Sequence, residues 1–310
     1  MTVRFTVLAS GSSGNASVLE CDGFGLMIDC GLGPRVLANR LSLVGLSWKS
    51  ISAVILTHTH GDHWHALTLA HLRRLNVPLI AHPRHHDTLS GCAEHDPLRK
   101  AGLTRDYHDL IEMDISPRLS CLPVQVPHDA DPTFAFRFDV KNDDPSTAVS
   151  IGYASDVGHA PAKLVAAFTG LHVLALEYNH DVHLQKSSGR HPILVNRVLG
   201  NDGHLSNDQA AEFTEQIARS SRANGLLHLV QLHLSKDCNK PELAQQAARV
   251  ALTKYAPTAT ITTATQFAPT KPIILSNELS EVTISPGCPP ANFPSWQSVQ
   301  PTLPGLEHDS

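Results

Sequence analysis

The sequence predicts an α/β chain in which two β-sheets are sandwiched between helical layers. Three observations carry this reading. Strand-type runs gather in residues 3–29 and again in 107–154, with helical patterns between them. The run Ile51-Ser-Ala-Val-Ile-Leu-Thr57 is apolar without a break and of strand length, the pattern of a strand covered on both faces. From residue 160 onward helical and strand patterns alternate. Elements arranged in this way must bury their apolar faces in packed layers.

In order along the chain, Val3–Leu8, Ala16–Glu20 and Gly25–Asp29 read as strands, the first two joined by the tight turn Ser10-Gly-Ser-Ser-Gly-Asn15. Pro34–Val44 has helical spacing. After the buried strand, a helix is expected from Trp64 to Leu75, then a short strand at Val77–Ala81 and a helical, loop-rich stretch over 83–105. Leu119–Val126, Phe134–Val140 and Ala148–Ala154 follow as strands, with turns at Asp129–Pro132 and Asn142–Pro145. Then come a helix at Ala160–Phe168 and a strand at Leu171–Leu176. Ser206-Asn-Asp-Gln209 is a capping box that opens a helix to Ser220. Gly225–Leu232 reads as a strand, Asn239-Lys-Pro-Glu242 as a second cap before a helix to Thr253, and Thr258–Thr262 as the last strand. One domain is expected over 1–268. Eight of the 21 prolines fall in 269–310, which reads as an extended or disordered tail.

A chain of 310 residues buries a large core without a covalent staple. Twenty-nine acids against 24 Lys and Arg give a formal charge of −5, which excludes a basic nucleic-acid coat protein but not a nucleic-acid enzyme with a local site. The six cysteines lie apart, without a paired metal spacing, and read as reduced. The N-terminal apolar stretch is too short for a signal peptide, and no run reaches a membrane span. A cytoplasmic protein without a membrane partner is expected. The unusual number is 20 histidines.

Their placement is informative in one segment, Thr57-His-Thr-His-Gly-Asp-His63. It follows the buried strand directly, and a strand end that opens into a loop lets side chains converge. His58 and His60 share one side by the period-2 rule and can bind one ion; Asp62 and His63 can bind a second. Mixed imidazole and carboxylate donors suit zinc first, with manganese or iron as alternatives. Three further donors end expected strands: His128, Asp156 and His233.

This cluster, with Asp29 in Ile28-Asp-Cys-Gly31, resembles the metallo-β-lactamase fold superfamily over about residues 1–265. A finer resemblance, to the YycJ/WalJ-like branch of metal-dependent nucleases, rests on Leu8-Ala-Ser-Gly-Ser-Ser-Gly-Asn15, Glu177-Tyr-Asn-His-Asp181, Gly203-His-Leu-Ser-Asn207 and Leu232-His-Leu-Ser-Lys236. Tyr178 stands where a small residue is commoner in that branch. The resemblance implies a four-layer αββα sandwich with a two-metal site at one edge, and 5′→3′ exodeoxyribonuclease action on DNA. It also implies that His58, His60 and His128 hold one divalent ion, that Asp62, His63 and His233 hold the other, and that Asp156 bridges them. Zn²⁺ is expected, with Mn²⁺ as the alternative. Such a pair can make a hydroxide nucleophile at neutral pH, which Asp62 would orient.

A leaving alkoxide needs a proton. His204, beside the helix N-terminus that Ser206 caps, is the first candidate donor and His180 the second. That terminus suits a phosphate, so Ser206 and Asn207, with Asn179, are candidate substrate contacts. Lys186, Arg190 and Arg197 could supply a basic rim. The alternative is a small-molecule hydrolase on the same metals: a thioesterase, lactonase or cyclic phosphodiesterase. A non-catalytic metal-stabilised module is a third reading, disfavoured by the complete donor set.

Overall fold

The computed structural model describes residues 2–130, 132–143, 147–221 and 225–276. The turns expected at Asp129–Pro132 and Asn142–Pro145 each include residues outside that set. Strands β1 (Thr2–Ala9), β2 (Ala16–Cys21) and β3 (Phe24–Ile28) form an antiparallel meander. Parallel pairing then adds β4 (Ala53–Ile55), β5 (Leu79–Ala81) and β6 (Thr104–Asp106). Parallel neighbours need crossovers, and α1 (Pro34–Leu43), α2 (Ala66–Leu75), α3 (Pro83–Leu89) and α4 (His95–Lys100) lie between them in the chain.

The second sheet repeats this plan. Strands β7 (Met113–Ser116), β8 (Leu119–Val126), β9 (Thr133–Val140) and β10 (Val149–Ala154) are antiparallel. Strands β11 (Val173–Glu177), β12 (His228–Leu232) and β13 (Thr260–Thr263) continue in parallel. The second half also carries α5 (Ala162–Ala167), α6 (Val182–Lys186), α7 (Pro192–Leu199), α8 (Asn207–Ser220) and α9 (Pro241–Leu252). Among the described residues each sheet has 7 strands, and with the helices they make the expected αββα sandwich. No described helix is long and apolar enough to cross a membrane.

Apolar spacing explains the layers. Helix α8 buries Ala210, Phe213, Thr214, Ile217 and Ala218, a stripe at intervals of three and four that faces the second sheet. The capping box forms as read, with Ser206 Oγ accepting from Gln209 N and Gln209 Oε1 from Ser206 N. Phe5, Phe134, Phe136, Phe138 and Tyr153 fill the space between the sheets. Each such ring contributes roughly 1.5–3 kcal/mol by leaving water.

Three expectations are corrected. The strand at Ile51–Thr57 pairs only over Ala53–Ile55, because the backbone beyond opens into the loop that carries His58 to His63. Asn239 does not cap α9: its amide donates to Tyr178 O and Asn179 O, and Lys240 is the cap residue without a side-chain bond. The tail expected from residue 269 begins inside the fold. Strand β14 (Ile273–Ser276) lies antiparallel to β1, so the folded part passes residue 268; residues 277–310 lie outside the described set.

The arrangement concentrates strand ends. The carboxyl ends of β3, β4, β10, β11 and β12 lead directly to Asp29, His58–His63, Asp156, Glu177–His180 and His233. Asp29, Asp156 and His233 turn there with left-handed backbones, φ +59°, +58° and +52°. Non-glycine residues in that region cost about 1–3 kcal/mol each and cluster at functional sites. The loop behind the site is clamped by Gly31. A Cβ there would meet Asp62 O at 1.8 Å and Asn15 N at 2.9 Å. Gly31→Ala is therefore expected to displace the Asp62 loop, lower stability by about 1–3 kcal/mol and weaken metal binding. Thermal melts with and without metal measure both; an unchanged melt and unchanged metal affinity would refute it.

Candidate metal centre

All seven expected metal donors converge. The ligand atoms of His58, His60 and His128 lie within 4.8 Å of one another, as do those of Asp62, His63 and His233. Asp156 stands between these sets. Its Oδ2 is 3.2 Å from His63 Nε2, and its Oδ1 is 3.6 Å from His233 Nε2 and 3.9 Å from His128 Nε2.

The outer faces of these rings are held by protein. His58 Nδ1 lies 3.0 Å from Thr57 Oγ1, and His128 Nδ1 donates to Gly203 O at 2.9 Å. His63 Nδ1 donates to Asp29 Oδ2 at 2.7 Å. His233 Nδ1 lies 3.2 Å from Asn179 Nδ2 and 3.5 Å from Glu177 Oε1. Such outer bonds fix the tautomer and aim the other nitrogen inward. On His58 and His128 that nitrogen, Nε2, is buried and has no hydrogen-bond partner. Burying an unpaired polar atom is costly, and a cation removes the cost. The donor set therefore fits divalent metal ions. Asp129 Oδ1 faces two of these donor nitrogens, at 3.3 Å from His128 Nε2 and 3.6 Å from His60 Nε2, and Asp129 in turn accepts from Arg197 Nε.

Electrostatics reinforce the arrangement. Burial pulls the His63 imidazole down, but Asp29 and Asp156 outweigh it and raise it to about 10. Burial likewise opposes the His233 proton, yet Asp156, Asp62 and Glu177 hold its value well above the ordinary one. Protons thus occupy these rings in the metal-free protein, and metal binding must expel them. Because the folded value of His63 lies above that of a free imidazole, its proton stabilises the metal-free fold below about pH 6.5, and that contribution is lost as pH rises through about 10. Asp29→Asn removes the anion that holds this proton. The substitution is expected to weaken metal binding about 10–100-fold and to flatten the alkaline loss of metal-free stability. Chelator competition and melts between pH 6 and 10 test both; unaltered affinity would overturn the orienting role of Asp29.

Of the expected catalytic groups, Asp62 and His204 join this cluster. Burial opposes the Asp62 charge, but the His233 hydrogen bond and His63 lower its value, leaving an acceptor carboxylate. His204 Nδ1 donates to Glu177 Oε1 at 2.6 Å, and its ring stacks on His233 with centroids 5.5 Å apart. Burial pulls His204 down, but Glu177 and Asp156 raise it overall. His180 is different. It is buried, neither ring nitrogen has a hydrogen-bond partner, and burial lowers it to about 4. It is neutral at physiological pH and so a poor proton donor.

The three expected substrate contacts have protein partners. Asn179 Nδ2 donates to His233 O at 3.0 Å. Asn207 and Asn239 exchange hydrogen bonds at 2.9 Å in each direction, and Ser206 caps α8. Of the expected basic rim, Arg197 is paired with Asp129 and Arg190 with Asp237.

Glu177 opens one of the quoted motifs but was given no role by the sequence, and neither was Asp129. Glu177 is buried and accepts from Val157 N at 2.9 Å and Leu205 N at 3.3 Å besides His204. Its signal was present: it ends a strand, as Asp156 and His233 do. Asp129 adjoins His128 in sequence, but nothing local distinguished it from a turn residue.

Residues 26–227 match the profile of the beta-lactamase superfamily domain. The chain is 27% identical to exodeoxyribonuclease WalJ of Streptococcus pneumoniae serotype 2 over 244 residues, covering 78% of this chain and 85% of that one. It is 26% identical to exodeoxyribonuclease YycJ of Bacillus anthracis over 253 residues, covering 80% and 88%. Among solved structures, the metallo-beta-lactamase fold protein YhfI from Bacillus subtilis superposes with a TM-score of 0.59 at 14% identity, covering 87% of this chain and 99% of that one. A profile match across most of the folded part, joined to two sheets that deliver histidines and carboxylates to one edge, makes this chain a hydrolase of the beta-lactamase superfamily.

Proposed function

We propose that this chain is a 5′→3′ exodeoxyribonuclease that hydrolyses DNA phosphodiesters with two divalent cations. The observation that carries the reading is the convergence of five imidazoles and two carboxylates, with buried nitrogens on His58 and His128 that make no hydrogen bond. Its similarity to two proteins named exodeoxyribonucleases supports DNA as the substrate, and the direction of cleavage follows that resemblance. His58, His60 and His128 would hold one cation, Asp62, His63 and His233 the other, and Asp156 both. Three imidazoles favour zinc at the first position, and the carboxylates admit manganese. Bound there, the cations would neutralise phosphate charge and acidify water.

The chain's own groups divide the remaining work. Asp62, an ionised carboxylate, would accept a hydrogen bond from the attacking water and orient it. His204 holds a proton on Nε2, while Nδ1 remains on Glu177, and gives it to the leaving oxygen. Asn179, Ser206 and Asn207 act by position: Asn179 seats His233, and the other two fix the loop that carries His204.

The test is direct. Purified protein is incubated with Mn²⁺ or Zn²⁺ and end-labelled single- and double-stranded DNA, beside a His60→Ala control. Metal-dependent shortening from the 5′ end, lost in the control, is expected. No degradation, or equal degradation by the control, would overturn the reading. More efficient turnover of a thioester, lactone or cyclic phosphodiester would replace it with small-molecule hydrolysis.

A further inference from the structure

Asp129 follows His128 in the loop after β8. Its Oδ2 accepts from Arg197 Nε on α7. That bond leaves Oδ1 turned towards the first donor set, 3.3 Å from His128 Nε2 and 3.6 Å from His60 Nε2. Such spacing is that of ligands sharing one ion. Donors bonded at about 2.0–2.2 Å lie about 2.8–3.6 Å apart, between right-angled and tetrahedral arrangements.

The approach to His128 is not a hydrogen bond. His128 Nδ1 donates to Gly203 O, so in the neutral ring Nε2 carries a lone pair and no proton. An ionised carboxylate oxygen is likewise an acceptor only. Although Asp129 Oδ1 is 3.3 Å away, the buried Nε2 makes no hydrogen bond. Two acceptors that face each other without a proton repel, and binding one cation between them removes the repulsion. The Asp129 side chain is 27% exposed, so water is within its reach. Arg197 holds it over the imidazoles instead.

We propose that Asp129 is a further oxygen ligand of the ion held by His58, His60 and His128, positioned by Arg197, and that it shifts this position from zinc towards manganese. The inference rests on the two-cation reading of the centre and is independent of the substrate. With Asp156 it brings two carboxylates to three imidazoles. Four donors complete a zinc site, and nitrogen serves them well. Manganese favours oxygen donors and a higher coordination number. An added carboxylate therefore strengthens manganese binding more than zinc binding.

The test compares metal-free full chains of wild type, Asp129→Ala and Arg197→Met. Titration with MnCl₂ and with ZnCl₂ under chelator competition reads the affinity of each site. For Asp129→Ala, Mn²⁺ affinity at one of the two sites is expected to fall about tenfold or more, and Zn²⁺ affinity to fall less. Arg197→Met keeps the carboxylate and should lose less Mn²⁺ affinity than Asp129→Ala. Visible absorption after loading with Co²⁺ separates ligation from support, because fewer ligands make the band more intense. The band should grow in Asp129→Ala and stay near wild type in Arg197→Met. Unaltered Mn²⁺ affinity, or an unaltered Co²⁺ band, in Asp129→Ala would overturn the proposal. Equal losses in the two variants would assign Asp129 to anchoring α7 and overturn it as well. Failure of the wild type to bind any of these metals would overturn the two-cation reading and this inference with it. The expected losses in a chain that binds two ions but degrades no DNA would uphold the ligand role and overturn the exonuclease reading alone.

Discussion

Replacing Asp156 by Asn is expected to abolish most activity, lowering kcat/KM about a thousandfold or more, roughly 4 kcal/mol of lost transition-state stabilisation. Asp156 is the donor carboxylate that approaches nitrogens of both sets. Asp156 lies within 3.9 Å of His63, His128 and His233, and it is almost completely buried. Burial opposes its charge, but His233 and His63 hold the carboxyl well below its ordinary range, so it is an anion at every working pH. The neutral amide keeps the shape and removes that charge. Metal content should fall from two ions towards one, read by atomic absorption after dialysis. The metal-free variant should also be less stable, by about 3–5 kcal/mol at most, because two buried imidazolium groups lose an anion. A variant that keeps two ions and more than a tenth of wild-type activity would refute the bridging role.

The second large effect concerns the leaving group. His204→Ala is expected to lower kcat on DNA about 10²–10⁴-fold, the usual worth of a positioned acid. A p-nitrophenyl diester, whose leaving group departs without a proton, should lose far less. Glu177→Gln separates donation from mere packing. Glu177 is held at about 2, burial being outweighed by His204 and the His233 hydrogen bond, so it is charged throughout the working range and raises His204. The rate should fall on the alkaline side as His204 deprotonates. Without the Glu177 charge the His204 value drops, and that alkaline limb should move to lower pH. Equal losses on both substrates, or an unmoved limb in Glu177→Gln, would assign His204 to a structural role.

How much was legible follows the range of the interactions. His58, His60, Asp62 and His63 fall in one short segment, where local spacing suffices. Asp156 and His233 were found because each ends a run of strand-forming residues. Glu177 obeys the same rule, and its buried partners became visible only when β11 was set beside Asp156 and the Gly203–Ser206 loop. Asn179, Ser206 and Asn207 have the composition of ligand-binding residues. Their commitments to His233, α8 and Asn239 are contacts across the fold that no spacing encodes. Likewise β14 was lost in a proline-rich segment, because its partner β1 lies at the other end of the chain.

Local patterns in the chain were enough for the α/β class, the order of most elements and the donor types at the edge where the strands end. These depend on apolar periodicity, capping residues and donor type, which are local properties. The tertiary structure alone decided which nitrogen of each imidazole faces inward, which carboxylate stands between the two donor sets, and that burial lowers His180 while Glu177 raises His204. Those outcomes depend on burial and on charges brought within a few ångströms by segments up to 223 residues apart, as Ser10 and His233 are. At such separations the fold, and not the spacing of residues, sets the field that each group feels.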